Sequence, residues 1–237
     1  MWAYFSSLAR ANVVVTRTNF SDSEQPVLLL YGFGATRRSL SILENRLRKD
    51  GFDVFSLRLG GFLDLFNTHS MEPLTQYVAQ RIEEIYSRYP LPRMAIIGYS
   101  KGGLVGRYYL TNYGGEKRVH TLITLAAPHQ GTPWSWFWFF SKGLRQMTPN
   151  SSFMKQLRET PLPKATYVAS IYSEQDRVSP PRSSFLTAPS GNFVNVPLQQ
   201  LRHSDFVIKR TAYDEILKYL KSGFARDAVA SPPPKRP

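Results

Sequence analysis

A tight turn between a buried strand and a helix is the sequence feature that most restricts how this chain folds. Residues 98–102 read Gly-Tyr-Ser-Lys-Gly. The apolar run 93–97 before them is typical of a buried strand, and apolar residues recur at helical spacing over 104–113. A serine in a strained turn crowds the residues two before and two after it, so Gly98 and Gly102 leave room where a Cβ would collide. The pattern predicts a strand, a sharp turn and a helix, with the serine at the apex.

Strand-like and helix-like segments alternate along most of the chain. Besides the run before the turn, segments typical of strands occupy 13–16, 26–30, 52–57, 119–125, 165–171 and 193–196. Amphipathic segments typical of helices occupy 40–47, 73–89 and 204–220. This alternation implies right-handed crossovers and a mostly parallel sheet with helices on both faces, which is an α/β fold. A chain of 237 residues, 42% of them hydrophobic, is long enough for one large core. We expect a single domain over 1–227 and a disordered, proline-rich and basic tail over 228–237.

Several classes of protein are excluded by what the sequence lacks. There is no cysteine, so neither a disulfide nor a thiolate metal site is available, and we predict no metal and no cofactor. No apolar run approaches the roughly 18 residues that span a bilayer. The N-terminal segment 1–8 lacks a basic region and is too short for the apolar part of a signal peptide, although 9–11 read Ala-Arg-Ala, which has the form of a cleavage site. We therefore expect a cytoplasmic protein or one peripheral to a membrane, and secretion would require a true start upstream.

The net charge is +13, from 30 Lys and Arg against 17 Asp and Glu. Such a charge suggests an anionic partner. However, the basic residues are dispersed as singles and pairs, and no motif typical of nucleic-acid recognition is present. We therefore expect no specific nucleic acid, and another anionic partner stays open.

Ser100 becomes a good nucleophile only if a base takes its proton, and four histidines are available. His120 lies inside a predicted strand, and His69 lies in a polar loop. His129 follows a strand, but its glycine and proline neighbours favour a structural turn. His203 lies between the last strand and the last helix, at the sheet edge where reactive groups gather in parallel α/β folds. We predict that His203 is the general base, with His129 as the alternative.

A histidine base also needs a carboxylate that fixes its tautomer. Asp176 ends the penultimate strand, and the resulting order Ser100, Asp176, His203 is that of α/β hydrolases. A turn residue on a solvated loop is the alternative for Asp176, and Glu174 could replace it. Acyl transfer needs two donors for the oxyanion, and we predict the backbone N–H groups of Lys101 and Phe33.

The chain resembles bacterial lipases and esterases of the α/β-hydrolase family, and is similar to small triacylglycerol lipases and PGAP1-like hydrolases. The resemblance extends over about 27–220. It lies in residues 31–34, where the family usually has His-Gly-x-Gly; in 98–103, similar to Gly-His-Ser-Met-Gly-Gly; and in 127–132, similar to Pro-His-x-Gly-Thr. The resemblance implies a carboxylic ester hydrolase with lipid substrates, and the triad and oxyanion donors named above. The chain differs from the family at Tyr31, where a histidine is usual, and at Lys101, where a neutral side chain is common.

Basic residues flank every predicted catalytic element: Arg37, Lys101, Arg177 and Arg202. We hypothesise a positive mouth that favours anionic acyl substrates or an anionic membrane surface. The alternative is that these side chains extend into solvent.

An insertion over about 133–163 separates Ser100 from Asp176, and 134–140 contain six aromatic residues. A lid or acyl-binding wall that touches lipid is the functional interpretation, and a buried cap is the alternative. The predicted substrate-binding residues are Tyr31, Tyr99, His129, Trp134, Trp136, Phe137 and Trp138.

Other activities also fit this sequence. A phospholipase, an acyltransferase, a thioesterase or an amidase could use the same triad, and a catalytically silent fold could serve as a lipid-surface binding module.

Overall fold

The sheet of this protein is entirely parallel in the computed structural model, which describes residues 19–33, 35, 37–57, 59, 69–132 and 142–230. Within these residues, the strands are β1 Pro26–Leu30, β2 Asp53–Ser56, β3 Met94–Tyr99, β4 Val119–Leu125, β5 Tyr167–Ser173 and β6 Asn192–Leu198. They are arranged in the order β2-β1-β3-β4-β5-β6. Strands β1 and β4 are buried along their whole length, as expected of strands covered on both faces.

Helices connect the strands. They are α1 Ser41–Lys49, α2 Met71–Arg88, α3 Lys101–Asn112, α4 Lys142–Arg145, α5 Ser152–Glu159, α6 Pro181–Ser184 and α7 Arg210–Ala230. Helix α2 buries one stripe, which includes Leu74, Val78 and Ile82. Helix α3 is buried over most of its circumference, because it packs on the sheet while neighbouring elements cover its outer side.

The α/β fold, with its parallel sheet and covering helices, is confirmed. The bounds of the described strands agree with the predicted ones to within two residues, but the C-terminal region differs more. The predicted helix from 204 is instead a 3₁₀ turn, His203–Val207, followed by α7. The Asp205 carboxylate accepts the Arg202 N–H at 2.9 Å, and adjacent Phe206 and Val207 are both buried, which holds the tight turn. Helix α7 then runs to Ala230, past the predicted start of the tail.

The order of the strands decides where a site can form. Strand β1 lies between β2 and β3, so the sheet is extended first in one direction and then in the other. Ligands of open α/β sheets bind at such a switch point, beyond the carboxyl ends of the strands. Leu30 of β1 pairs with Gly98 of β3. The loops that carry Phe33 and Ser100 therefore leave the sheet side by side.

The described part of the insertion, 142–163, packs onto the core. Its buried side chains include Leu144, Phe153 and Leu157, and the Phe153 ring lies 5.0 Å from that of Tyr108. This part of the insertion therefore packs against the body of the fold. The lid prediction falls on the aromatic residues of 133–141, which lie outside the described residues, as do the predicted strand 13–16 and residues 231–237.

Among the described helices, none is both long enough and apolar enough to span a bilayer.

Candidate active site

Ser100 occupies a strained turn between β3 and α3. Its φ of 53° and ψ of −122° place a residue with a Cβ in the left-handed half of conformational space. Such a backbone costs about 1 to 3 kcal/mol and persists only where the surroundings enforce it. Here the Ser100 N–H donates to the Leu125 carbonyl at 2.8 Å, and the Ser100 carbonyl accepts the Gly103 N–H at 3.0 Å. The turn therefore holds Ser100 at the carboxyl edge of the sheet, at the start of α3.

The two glycines of the motif are required, although the atoms they avoid differ from those predicted. A Cβ on Gly98 would lie 2.5 Å from the Gly103 Cα. A Cβ on Gly102 would lie 2.2 Å from the carbonyl oxygen of Leu30. The crowding therefore comes from the start of α3 and from β1, not from the backbone of the serine. Glycine at these positions lets the helix approach the sheet closely.

Asp176 and His203 are brought together as predicted. The carboxylate Oδ2 of Asp176 lies 2.7 Å from the His203 Nδ1. Its Oδ1 accepts the backbone N–H groups of Val178 at 2.8 Å and Ser179 at 3.0 Å. Because an ionised carboxylate only accepts hydrogen bonds, Nδ1 carries the proton, and Nε2 is left to accept one. Asp176 is buried, whereas the exposed Glu174 has no such contact with a histidine.

Two residues of the neighbouring strands support this pair. The Tyr99 hydroxyl donates to the His203 carbonyl at 3.2 Å, and the two rings lie 5.1 Å apart. Burial, with a smaller contribution from Asp176, raises the pKa of Tyr99, so its hydroxyl keeps the donated proton. The buried Ser173 Oγ accepts the Leu201 N–H at 3.1 Å, which joins the end of β5 to the loop of the base. Sequence reasoning missed Ser173, and had placed Tyr99 only at the substrate.

His203 therefore packs against the residue that precedes the serine. In the described part of the chain no hydrogen bond joins the Ser100 Oγ to His203, whose side chain is 17% exposed. Hydrogen bonds of catalytic groups are often long without substrate and tighten in the complex. The three side chains thus occupy adjoining loops at one edge, with the Asp176–His203 contact already formed.

The loop after β1 lies directly against Ser100. A Cβ on Gly32 would come within 2.8 Å of the Ser100 Cβ and 3.4 Å of its Oγ. The Ala35 N–H donates to the Gly32 carbonyl at 3.3 Å, which closes a turn that contains Phe33. The predicted oxyanion donor thus lies in a turn beside the serine.

Tyr31 links two loops. Its side chain is buried, and its hydroxyl accepts the Leu59 N–H at 2.7 Å. Tyr31 thus anchors the loop of Phe33 to the segment that follows β2, and so braces the turn that carries the predicted oxyanion donor. The predicted substrate contact of Tyr31 stays a prediction.

Lys101 is also buried, so the predicted positive mouth loses one of its four basic side chains. Its Nζ donates to the His69 carbonyl at 2.6 Å, and burial lowers the pKa of Lys101 to about 7. This side chain therefore adds no exposed charge. Arg177 and Arg202 are exposed, and the side chain of Arg37 lies outside the described part of the structure.

His129 is part of the scaffold. It is fully buried, and its Nε2 lies 2.9 Å from the Thr124 hydroxyl. Burial, reinforced by nearby Arg107, holds the pKa of His129 well below its usual value, so the ring is neutral. This side chain is enclosed by the scaffold, and the predicted substrate contact of His129 stays a prediction. The turn around it is fastened by hydrogen bonds from Gln130 to Ser183 and from Thr132 to Met147.

The remaining histidines lie as the sequence indicated. His120 is buried within β4, where burial lowers its pKa to about 4, and His69 is exposed. Among the described residues no three His, Asp or Glu side chains are grouped to hold a metal ion. Trp134, Trp136, Phe137 and Trp138, the other predicted substrate-binding residues, lie outside the described residues.

The parallel sheet, the strained serine turn and the loops beside it define an α/β hydrolase fold of the lipase and esterase kind. The family described as PGAP1-like alpha/beta domain matches residues 12–189. Since this match covers most of the chain, the protein belongs to that family.

Known proteins agree with this assignment. A GPI inositol-deacylase of Candida albicans is 29% identical over 129 residues, which cover 53% of this chain. The match spans only 28% of that relative. Aspergillus fumigatus lipase B superposes with a TM-score of 0.73 at 18% identity, covering 93% of this chain and 59% of the lipase. Mature Bacillus licheniformis lipase BlEst2 superposes with a TM-score of 0.68 at 15% identity, covering 88% and 95%. At these identities the two lipases show the shared fold.

Proposed function

We propose that the protein is a serine hydrolase that cleaves carboxylic ester bonds of lipids. The observation that carries this proposal is the Asp176–His203 hydrogen bond of 2.7 Å at the sheet edge where the strained turn holds Ser100. A buried carboxylate that orients a histidine beside a serine turn is the arrangement that activates a serine for acyl transfer. The family and the fold are those of hydrolases, which supports the same conclusion.

In the proposed reaction, the Ser100 Oγ attacks the ester carbonyl while its proton passes to the Nε2 of His203. The Asp176 carboxylate stabilises the imidazolium that forms. The N–H groups of Phe33 and Lys101 bind the oxyanion of the tetrahedral intermediate, and the N-terminus of α3 favours its negative charge. His203 then gives its proton to the leaving alcohol. Water then attacks the carbonyl of the acyl-enzyme while His203 takes its proton. His203 gives that proton to the Ser100 Oγ as the acyl bond breaks, which releases the acid and restores Ser100.

The relative named GPI inositol-deacylase supports an acyl group on a lipid as the substrate. The exposed Arg177 and Arg202, which adjoin Asp176 and His203 in the sequence, support a lipid with an anionic headgroup. We therefore propose acylated phospholipids, including those with inositol headgroups, ahead of neutral triacylglycerols.

The test is ester hydrolysis by wild type, Ser100→Ala, Asp176→Asn and His203→Ala. A short-chain nitrophenyl ester probes the chemistry in solution, and matched anionic and neutral lipids in mixed micelles probe the headgroup. We expect each variant to lose at least about 10³-fold in kcat on every substrate, since removing one triad member removes most of the rate enhancement. Equal activity of Ser100→Ala and wild type would overturn the proposal. Equal rates on anionic and neutral lipids would overturn the headgroup assignment alone.

A further inference from the structure

The loop after β5 exposes two apolar side chains beside a buried polar cluster. The cluster consists of Asp176, Ser179, Ser183 and Ser184. Val178 is 52% exposed and Phe185 is 45% exposed, whereas the next apolar residue, Leu186, is buried in the core. Single exposed apolar residues are common, but two that flank a buried polar cluster, within eight positions of the chain, indicate a contact surface.

The buried serines fix this loop. The Ser184 hydroxyl donates to the Ser179 carbonyl at 2.9 Å, and the Ser170 hydroxyl donates to the Ser184 carbonyl at 3.0 Å. The Ser179 N–H is held by the carboxylate of Asp176. The exposure of Val178 and Phe185 is therefore a property of the folded loop.

Both apolar residues lie against one short turn of the chain. The Thr132 hydroxyl donates to the Val178 carbonyl at 3.3 Å. The Gln130 side-chain amide donates to the Phe185 carbonyl at 2.8 Å. The hydroxyls of Ser179 and Ser184 lie 2.9 Å apart, and these serines adjoin Val178 and Phe185 in the sequence, so the chain brings the backbones of Val178 and Phe185 near each other.

The charged residues between 177 and 185 are both positive. Arg177 precedes Val178 in the sequence, Arg182 lies three positions before Phe185, and both arginines are exposed. No Asp or Glu occurs anywhere in the sequence from 177 to 204. Arginine beside apolar side chains suits the boundary of a lipid layer, where the guanidinium meets phosphate and the apolar groups leave water.

We propose that Arg177, Val178, Arg182 and Phe185, the acid-loop face, dock the protein on an anionic lipid surface. The inference builds on the proposed lipid hydrolase and adds the surface from which the substrate is taken. Docking through this face sets the lipid layer against the loop that carries Asp176, so that acyl chains leave the layer next to the Asp176–His203 pair. Excess positive charge attracts the anionic layer, and Val178 and Phe185 anchor the protein in it.

The test is cosedimentation with sucrose-loaded vesicles, made either of phosphatidylcholine alone or of phosphatidylcholine with 30% phosphatidylglycerol. The full chain carries Ser100→Ala so that no lipid is cleaved. Arginine near an anionic surface contributes about fivefold each in binding, so Arg177→Gln with Arg182→Gln should weaken binding to anionic vesicles about 25-fold. Val178→Ser with Phe185→Ser should weaken binding to both vesicle types, by about tenfold or more.

Matched controls lie elsewhere on the surface. Lys164→Gln with Lys221→Gln removes the same charge at two exposed positions, and Val229→Ser removes an apolar side chain that is 86% exposed. Binding by these controls should stay within about twofold of the parent. Circular dichroism melts of each variant exclude unfolding as the cause of a loss.

Equal losses in the face and control variants would show diffuse attraction and overturn the proposal, as would unchanged binding in the face variants. If the face variants lost binding to single-stranded DNA but kept binding to vesicles, the lipid proposal would be overturned in favour of a nucleic-acid partner. The result is separate from the hydrolase test, because vesicle binding is measured without Ser100. If wild type bound vesicles but hydrolysed no ester, the docking proposal would hold and the hydrolase proposal would be wrong.

Discussion

Ser100 and Lys101, adjacent residues at the start of α3, have opposite requirements. The proposed role of Ser100 requires that a substrate can reach it, and a strained backbone conformation holds it at the apex of the turn. Lys101 is withdrawn into the protein, where its Nζ donates to the His69 carbonyl. A buried ammonium is costly, which is why the pKa of Lys101 falls to about 7. The side chain next to the proposed nucleophile therefore acts as a brace whose charge depends on pH near neutrality.

This burial has a consequence for stability. Between pH 7 and 10.5 the unfolded chain keeps the Lys101 proton that the folded chain has lost, so the free energy of unfolding rises with pH. We expect Lys101→Met to lack this dependence. Urea unfolding should show that the free energy of unfolding of wild type rises, between pH 7.5 and pH 9, by about 2 kcal/mol more than that of the variant. A constant difference between wild type and variant would contradict the buried ammonium.

At the scale of elements, a hydrogen bond to the segment after β2 holds the loop after β1 in place. Tyr31 stands where related lipases usually have a histidine, and its hydroxyl accepts the Leu59 N–H. Gly32 then lies against Ser100, and Phe33 follows in the turn. The geometry of the proposed oxyanion site is therefore set by two loops together.

Removing this hydroxyl should affect both stability and catalysis. In Tyr31→Phe the buried N–H of Leu59 loses its acceptor, which costs about 1 to 3 kcal/mol. The loosened turn should lower kcat several-fold with little change in KM, measured on a soluble ester. The matched control is Tyr86→Phe, which removes the hydrogen bond from Tyr86 to the Pro92 carbonyl near the opposite edge of the sheet. Equal losses of kcat in both variants would contradict a role for Tyr31 at the site.

The elements themselves could be predicted from the sequence, because each depends on a local pattern. Buried strands gave continuous apolar runs, and the serine turn gave paired glycines. The contacts of Tyr31, Lys101 and Ser173 could not be predicted, since each joins segments whose placement depends on the whole sheet. The 3₁₀ turn at His203 was missed for a related reason: burial of neighbouring Phe206 and Val207 outweighed a helical pattern.

At the scale of the whole molecule, the two edges of the sheet have different tasks. The carboxyl edge holds Ser100, Asp176 and His203. At the amino edge, Arg93 forms an ion pair with Asp227 of α7 and donates to the carbonyls of Glu116 and Ala165. One guanidinium thus fastens the last helix to the segments before β4 and β5. This stabilising contact therefore lies at the opposite end of the strands from the proposed site.

This separation predicts that removal of the Arg93–Asp227 ion pair lowers the free energy of unfolding without changing catalysis. Asp227→Asn leaves a partly buried guanidinium without its counter-charge, which should lower the free energy of unfolding by about 3 kcal/mol. The kcat of the folded enzyme, measured at low temperature, should not change. Asp214→Asn, on the same helix, breaks an exposed pair with Arg210 and should cost less than about 1 kcal/mol. A lower kcat in folded Asp227→Asn would show that the edges are coupled.

The most direct test of the central claim is the intact mass of the protein after incubation with a fluorophosphonate, which labels activated serines. Wild type should gain one adduct, Ser100→Ala should gain none, and His203→Ala should react far more slowly, because the serine then lacks its base. An adduct that persists in Ser100→Ala would place the nucleophile elsewhere. Absence of any adduct on wild type, even with detergent or liposomes, would show that the fold does not activate this serine.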